Sequence, residues 1–117
     1  MNNKQLKQIK KHLATFKGAT LEAKGLYFAT FKRGYMVSLK GYELQTTADA
    51  LNKRTLERYQ KIAEAKNGFI GLWLDAGVLY VDISKCVMQL HDALNIAKQN
   101  EQKAIYDNAK GESIYLQ

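Results

Sequence analysis

The residues best suited to nucleophilic chemistry are the single cysteine, Cys86, and the two histidines, His12 and His91. A nucleophile needs a base within hydrogen-bond reach. Cys86 and His91 fall on one predicted helix, where a separation of five residues places them about 140° apart around the axis. They therefore do not form a dyad, and His12 can approach Cys86 only through tertiary folding. We expect Cys86 to pack as a small buried hydrophobe; an enzyme centred on Cys86 or His91 is the alternative.

Paired carboxylates offer a second kind of chemistry. Asp75 and Asp82 share one face of a predicted hairpin, but about 13 Å separates them at roughly 3.3 Å per residue. That distance exceeds the carboxylate spacings of glycosidases. The histidines and the cysteine lack metal-ligand spacing, and the sequence has neither a Walker loop nor a dinucleotide fingerprint. We therefore expect no catalytic residues, no metal and no cofactor, and a protein that is not an enzyme.

Basic residues are the remaining candidates, and they are concentrated in the first part of the chain. The formal net charge is +7. Residues 1–66 hold 14 Lys/Arg and 5 Asp/Glu, whereas residues 67–117 hold 4 and 6. This imbalance predicts an electropositive surface for a polyanion or an acidic protein, with a merely solubilising surface as the alternative. The candidate contact residues are Lys4, Lys7, Lys11, Lys32, Arg33, Arg54, Arg58 and Lys61.

Two amphipathic helices carry six of these residues. Apolar residues at helical spacing predict a helix over residues 3–17, with three of the lysines opposite the apolar stripe. A second helix is predicted from about residue 48 to 66, with Arg54, Arg58 and Lys61 on its outer face. Thr46 and Asp49 resemble a capping box that starts it at Thr47, whereas Asn52 is a competing cap. A third helix is predicted over residues 85–99, capped by Ser84.

The most apolar stretch, residues 68–84, predicts a hairpin that turns at Ala76-Gly77. In the two-residue register, six aliphatic side chains share one face because strand residues alternate sides. Trp73 then lies opposite Tyr80 on the other face. Three amphipathic helices suffice to cover both sheet faces, so we expect these two aromatic residues in the core. Exposure as an interface anchor is the alternative.

Two further hairpins complete the prediction. Residues 23–47 are predicted to form two strands joined near Arg33-Gly34, and the C-terminal segment a hairpin that turns at residues 108–111. Aromatic and basic residues interleave in the first of these segments. That pattern is typical of single-stranded nucleic acid binders, although core packing of the inward-facing half explains it as well.

The predicted fold is a single α+β domain over residues 1–117, with three β-hairpins alternating with three amphipathic helices (α-ββ-α-ββ-α-ββ) and a mainly antiparallel sheet. Hydrophobic residues make up 46% of the chain and charged residues 25%, which is typical of a soluble globular protein. A lone cysteine fits a reducing compartment. With no apolar run of about 20 residues and no signal-peptide core, we expect a cytoplasmic protein without membrane contact.

Three segments carry a resemblance to a protein family. They are GYMVSLKGYE, GLWLDAGVLYVDIS and the ending AIYD…ESIYL. The chain resembles small uncharacterised proteins encoded by bacteriophages and mobile elements. The resemblance implies a phage-type protein in the host cytoplasm, a setting in which small proteins regulate, assist replication or disarm host defences. It supplies no functional residues.

Together these observations predict a non-enzymatic binding protein. The leading hypothesis is an inhibitor or modulator of a host nuclease or nucleoprotein complex, for example an anti-CRISPR protein. The alternative is a direct DNA- or RNA-binding accessory or regulatory protein that contacts phosphates through its basic residues. The sequence leaves a homodimer open.

Overall fold

Three helices and seven strands make up the computed structural model, which describes all 117 residues. In chain order the elements are α1 (Asn3–Phe16), β1 (Gly18–Glu22), β2 (Tyr35–Ser38), β3 (Leu44–Thr46), α2 (Lys53–Lys66), β4 (Phe69–Asp75), β5 (Val78–Val87), α3 (Leu90–Gln99), β6 (Ala104–Asp107) and β7 (Glu112–Tyr115).

All seven strands belong to one antiparallel sheet, and six of them follow the order β1-β4-β5-β2-β6-β7. The short strand β3 pairs with the first half of β5, on the same side of β5 that β2 occupies farther along. The ten-residue strand β5 is therefore the centre of the sheet, because three other strands pair with it.

The central hairpin has the predicted register. Ile70 pairs with Ile83, and Trp73 pairs with Tyr80. The loop residues Ala76 and Gly77 have φ angles of 49° and 81°, the two positive values that a type I′ turn requires. The side-chain alternation and the turn thus specify the same pairing, as expected for a strand pair with one buried face.

Side-chain caps fix where the first two helices begin. Asn2 accepts a hydrogen bond from the Gln5 backbone at 2.8 Å, and Asn52 accepts one from Thr55 at 2.9 Å. The Asn52 cap is therefore the correct alternative for α2. The Thr47 hydroxyl group caps a separate turn by accepting from the Ala50 amide.

The predicted alternation of three hairpins and three helices is wrong in detail. An unpredicted strand, β1, follows α1 directly and pairs with β4. The strands β2 and β3 do not form a hairpin with each other, because each pairs with β5. The C-terminal hairpin, β6–β7, forms around residues 108–111 as predicted. The coarser prediction of an α+β fold with three helices and an antiparallel sheet is correct.

The third helix begins at Leu90 rather than at residue 85, so the prediction that Ser84 caps it is wrong. Residues 84–87 continue β5 because β2 supplies backbone partners for all four of them. Consequently Cys86 and Val87 lie on a strand and do not belong to the apolar stripe of α3.

All three helices pack against the same face of the sheet. Ile9 and Leu13 of α1 and Leu56 of α2 join a cluster with the aliphatic residues of β4 and β5. Farther along the same face, Ala93 of α3 packs on Val37 of β2 in a smaller cluster. The opposite face of the sheet carries no helix. None of the three helices is both long and apolar enough to span a membrane.

Candidate binding surfaces

The eight predicted contact residues are all exposed. Six of them lie on α1 and α2, which pack on the same face of the sheet: α1 contacts β1 and β4, and α2 contacts β4 and β5. We call this set the α1–α2 basic surface; it consists of Lys4, Lys7, Lys11, Arg54, Arg58 and Lys61.

The helices place these side chains on their outer sides by simple periodicity. Lys4, Lys7 and Lys11 follow spacings of three and four residues, so they form one ridge away from the buried residues Ile9 and Leu13. Arg54, Arg58 and Lys61 form the corresponding ridge on α2. The two ridges run along neighbouring helices on the side turned away from the sheet.

Few acidic groups neutralise this surface. The helix α1 contains four lysines and no acidic residue, and α2 contains five basic residues and two glutamates. The only ion pair of the chain, Lys40 with Glu101, lies elsewhere. Lys10 of α1 donates to the Asp49 carbonyl group. No carboxylate holds the six side chains of the surface, so they remain available to an anionic partner.

Arg58, one of the six residues of this surface, also lies near an aromatic ring. The guanidinium carbon of Arg58 lies 5.7 Å from the ring centroid of Tyr59. Burial raises the pKa of Tyr59, and the nearby positive charge of Arg58 opposes that rise. The Tyr59 hydroxyl group donates a hydrogen bond to the Tyr42 carbonyl group, so this ring anchors α2 to the segment before β3.

The structure separates Lys32 and Arg33 from the other six residues. They lie in the loop that enters β2, and the side chain of Asn108 donates to the Arg33 carbonyl oxygen at 3.2 Å. The loop is thereby held against the β6–β7 turn, whereas α1 and α2 cover the β1–β4–β5 part of the sheet. The eight residues therefore form two surfaces.

The aromatic residues of the segment 23–47 do not form one surface with these cations. Tyr27 and Phe28 are exposed beside α1, where the His12 ring stacks on Phe28 at 4.4 Å between centroids. Phe31 packs edge-on against Phe69, and Tyr35 packs against the smaller core cluster. For Phe31 and Tyr35 the core-packing interpretation is the correct one.

A further candidate surface, apart from the basic residues, is the helix-free face of the sheet. Trp73 and Tyr80 are 56% and 39% exposed, so the prediction that a helix buries them is wrong. The cause is that all three helices pack on the aliphatic face. The sheet-face cavity, of about 630 Å³, lies here between Trp73, Tyr80 and Tyr106.

Asp82 lies at the floor of the sheet-face cavity. The Ser38 hydroxyl group donates a hydrogen bond of 2.7 Å to its Oδ2 atom, whereas its Oδ1 atom is buried against Gly71 without a hydrogen-bond partner. Burial raises the pKa of Asp82, and the negative charge of Glu43 adds to the rise, whereas the hydrogen bond from Ser38 and the backbone N–H group of Gly71 oppose it. The available signal in the sequence was Gly71, whose missing side chain leaves room for Asp82 across the hairpin.

Neither the cysteine nor the histidines form a catalytic arrangement. The nearest polar partner of the Cys86 sulfur is the Asn108 amide at 3.8 Å, and burial raises the pKa of the thiol. Cys86 is half-buried, on β5. His91 lies exposed on α3 beside Asn95, and His12 lies against aromatic rings on α1. No cluster of His, Cys, Asp or Glu has the geometry of a metal site.

Comparisons with known proteins add no family to this description. No protein-family model matches the chain, and no similarity to a curated protein or to a solved structure was found. We therefore infer function from the α1–α2 basic surface and from the helix-free face of the sheet.

Proposed function

We propose that this protein is a non-enzymatic binding protein that modulates or inhibits a nucleoprotein complex, and that the α1–α2 basic surface holds phosphates of the nucleic acid in that complex. One observation carries the proposal: two neighbouring helices present nine basic and two acidic residues, and none of the basic groups is in an ion pair. Lysine and arginine side chains in this state gain affinity for nucleic acid by releasing its counterions.

The resemblance to phage-encoded proteins directs the proposal to host defence. A CRISPR-type RNA-guided nuclease carries its nucleic acid in a positively charged channel and leaves parts of the backbone accessible. In the host cytoplasm, a small basic protein would bind those accessible phosphates and so compete with the nuclease for its own nucleic acid. The partner in this proposal is thus an assembled complex.

A direct DNA- or RNA-binding accessory protein is the second candidate. The absence of any acidic residue from α1 favours it, because such a helix needs no protein partner to hold a phosphate backbone. The two candidates differ in whether a bare nucleic acid is a sufficient ligand.

The test compares bare and assembled ligands. Fluorescence anisotropy would measure binding to a guide RNA, to a target DNA duplex and to purified CRISPR-type nuclease complexes, and a cleavage assay would report inhibition. Tighter binding to a complex with inhibition of cleavage supports the first candidate. Equal affinity for bare nucleic acid and for the complex, without inhibition of cleavage, supports the second candidate. Absence of all binding at low salt contradicts both.

A matched control uses basic residues outside the proposed surface. Lys98, Lys103 and Lys110 are exposed and lie on or after α3. The triple change of these residues to Gln removes the same charge as the triple change of Lys4, Lys7 and Lys11. Only the second variant should lose binding.

A further inference from the structure

The sheet-face cavity has the layout of a ligand site that is separate from the basic surface. In the β4–β5 pair, Trp73 stands opposite Tyr80, and in the next row of the same face Gly71 stands opposite Asp82. A bulky aromatic row thus borders a row of small side chains, which Thr20 extends onto β1. The volume of about 630 Å³ lies within the usual range for small-molecule sites.

The floor of the cavity contains an acceptor without a donor. The Oδ2 atom of Asp82 receives the Ser38 hydroxyl group at 2.7 Å, and the Oδ1 atom has no partner. A buried carboxyl oxygen without a hydrogen bond is unfavourable. Asp82 lines the cavity, and the torsion about its Cβ–Cγ bond is soft, so rotation of the carboxyl group gives a ligand in the cavity access to one of its oxygens. The ligand that fits must therefore donate a hydrogen bond.

The acidic residues on this face favour a positively charged ligand. Asp82 is the only charged residue that lines the cavity. The other charged strand residues whose side chains alternate onto this face, Glu22 and Asp75, are acidic as well and lie outside the cavity lining. A phosphate or a carboxylate ligand in the cavity would meet the like charge of Asp82, whereas a cation would meet opposite charge. The exposed aromatic rings supply π faces that attract cations as well.

We propose that the sheet-face cavity binds the ammonium group of an amine, which donates a hydrogen bond to the Asp82 carboxylate and lies against the rings of Trp73 and Tyr80. Two sources present this group: a free aliphatic amine and a lysine side chain of another protein. Because the cavity lies on the opposite side of the sheet from the α1–α2 basic surface, its ligand binds independently of nucleic acid.

The intrinsic fluorescence of Trp73 tests the proposal directly, because this residue is the only tryptophan in the chain. The protein would be titrated with n-butylammonium, spermidine and Nα-acetyl-lysine amide, and with the uncharged n-butanol and the anionic butyrate as controls. We expect saturable changes in emission with the ammonium compounds alone. Tighter binding of spermidine identifies a free amine as the ligand, and tighter binding of the lysine amide identifies a side chain.

Tetramethylammonium separates the hydrogen bond from the attraction to the rings, since it is a cation without an N–H group. It should bind more weakly than n-butylammonium. The proposal is overturned if butanol, butyrate or adenosine monophosphate binds as well as the ammonium compounds, or if no ammonium compound changes the emission.

Two variants test whether the Asp82 carboxyl group and the space above Gly71 are needed for binding. Asp82→Asn should weaken n-butylammonium binding about tenfold or more, since a charge-assisted hydrogen bond is lost. Gly71→Ala places a methyl group where the Oδ1 atom lies and should weaken binding similarly by displacing the carboxyl group. Asp75→Asn, which removes an exposed carboxylate from the same face, is the control for net charge. Unchanged affinity in a folded Asp82→Asn or Gly71→Ala variant contradicts the assignment, and circular dichroism establishes folding.

Discussion

The Asp82 carboxyl group occupies the space above Gly71, the residue that stands opposite it in the β4–β5 pair. Any side chain at position 71 would collide with the Oδ1 atom. The missing side chain at position 71 therefore leaves room for the sheet-face cavity in the helix-free face, and Asp82 lines that cavity. This pair explains how a short, regular hairpin comes to hold a carboxyl group with one buried oxygen.

The first prediction concerns pH and Asp82. Burial raises the pKa of this carboxyl group above its ordinary value of 3.8, so the folded state binds more protons than the unfolded state between these two pKa values. Stability then falls as pH rises through that window. Compared with Asp82→Asn, the wild-type protein should lose free energy of unfolding as pH increases above 3.8 and then stay level.

Urea denaturation of both proteins at a series of pH values measures this difference. Asn at position 82 keeps the shape of the side chain and can still accept the hydrogen bond from Ser38, so the comparison isolates the titration. A difference that stays constant with pH, or one that favours the wild-type protein as pH rises, would show that Asp82 is not destabilised in its charged form.

A second prediction contrasts two adjacent residues on opposite faces of β4. Leu72 is 3% exposed in the core, whereas Trp73 is 56% exposed. Leu72→Ala should lower the free energy of unfolding by about 2–5 kcal/mol, because it leaves a cavity. Trp73→Ala should cost less than about 1 kcal/mol, since more than half of this side chain is already exposed to solvent. Equal costs in thermal or urea denaturation would mean that the sheet face carrying Trp73 is covered.

A third prediction concerns the turn of the central hairpin. Ala76 has a φ of 49°, a conformation that costs a residue with a side chain about 1 kcal/mol relative to glycine. Ala76→Gly should therefore stabilise the protein by about 0.5–1 kcal/mol. Ala65→Gly, at an exposed position within α2, is the matched control and should destabilise it by a similar amount. Destabilisation by both changes would refute the turn geometry.

Local patterns predicted the central hairpin because two independent signals agree there. The alternating aliphatic residues, such as Ile70 and Leu72, require one register, and the Ala76-Gly77 loop allows the same one. The end of α1 and the Asn52 alternative for α2 followed from local signals as well. Where helix caps and side-chain periodicity act within a few residues, the sequence contains the necessary information.

Long-range pairing decides the features that the sequence did not reveal. Cys86 and Val87 have a spacing to the following apolar residues that is compatible with a helix, and pairing with the distant strand β2 holds them in β5. The same strand brings Ser38 to Asp82 across 44 residues of sequence. Likewise, alternation determines that Trp73 and Tyr80 share a face, but the packing of three helices determines which face is covered.

The α1–α2 basic surface likewise combines a feature that local sequence predicts with features that only long-range packing determines. Helical periodicity placed Lys4, Lys7 and Lys11 on one ridge, and the structure has that ridge. Its position beside the ridge of α2 depends on where both helices pack on the sheet. The separation of Lys32 and Arg33 depends on the hydrogen bond to the Arg33 carbonyl group from Asn108, a residue from the other end of the chain.

The salt dependence of nucleic-acid binding tests the central claim most directly. The logarithm of the affinity for a target DNA duplex or a guide RNA, bare or in its nuclease complex, would be plotted against the logarithm of salt concentration. Each phosphate contact contributes about 0.7–0.9 to the slope. The account predicts a steep slope that falls by roughly 2–3 when Lys4, Lys7 and Lys11 are changed to Gln, and that is unaltered by the same change at Lys98, Lys103 and Lys110. A flat plot, or equal losses in the two triple variants, would contradict it.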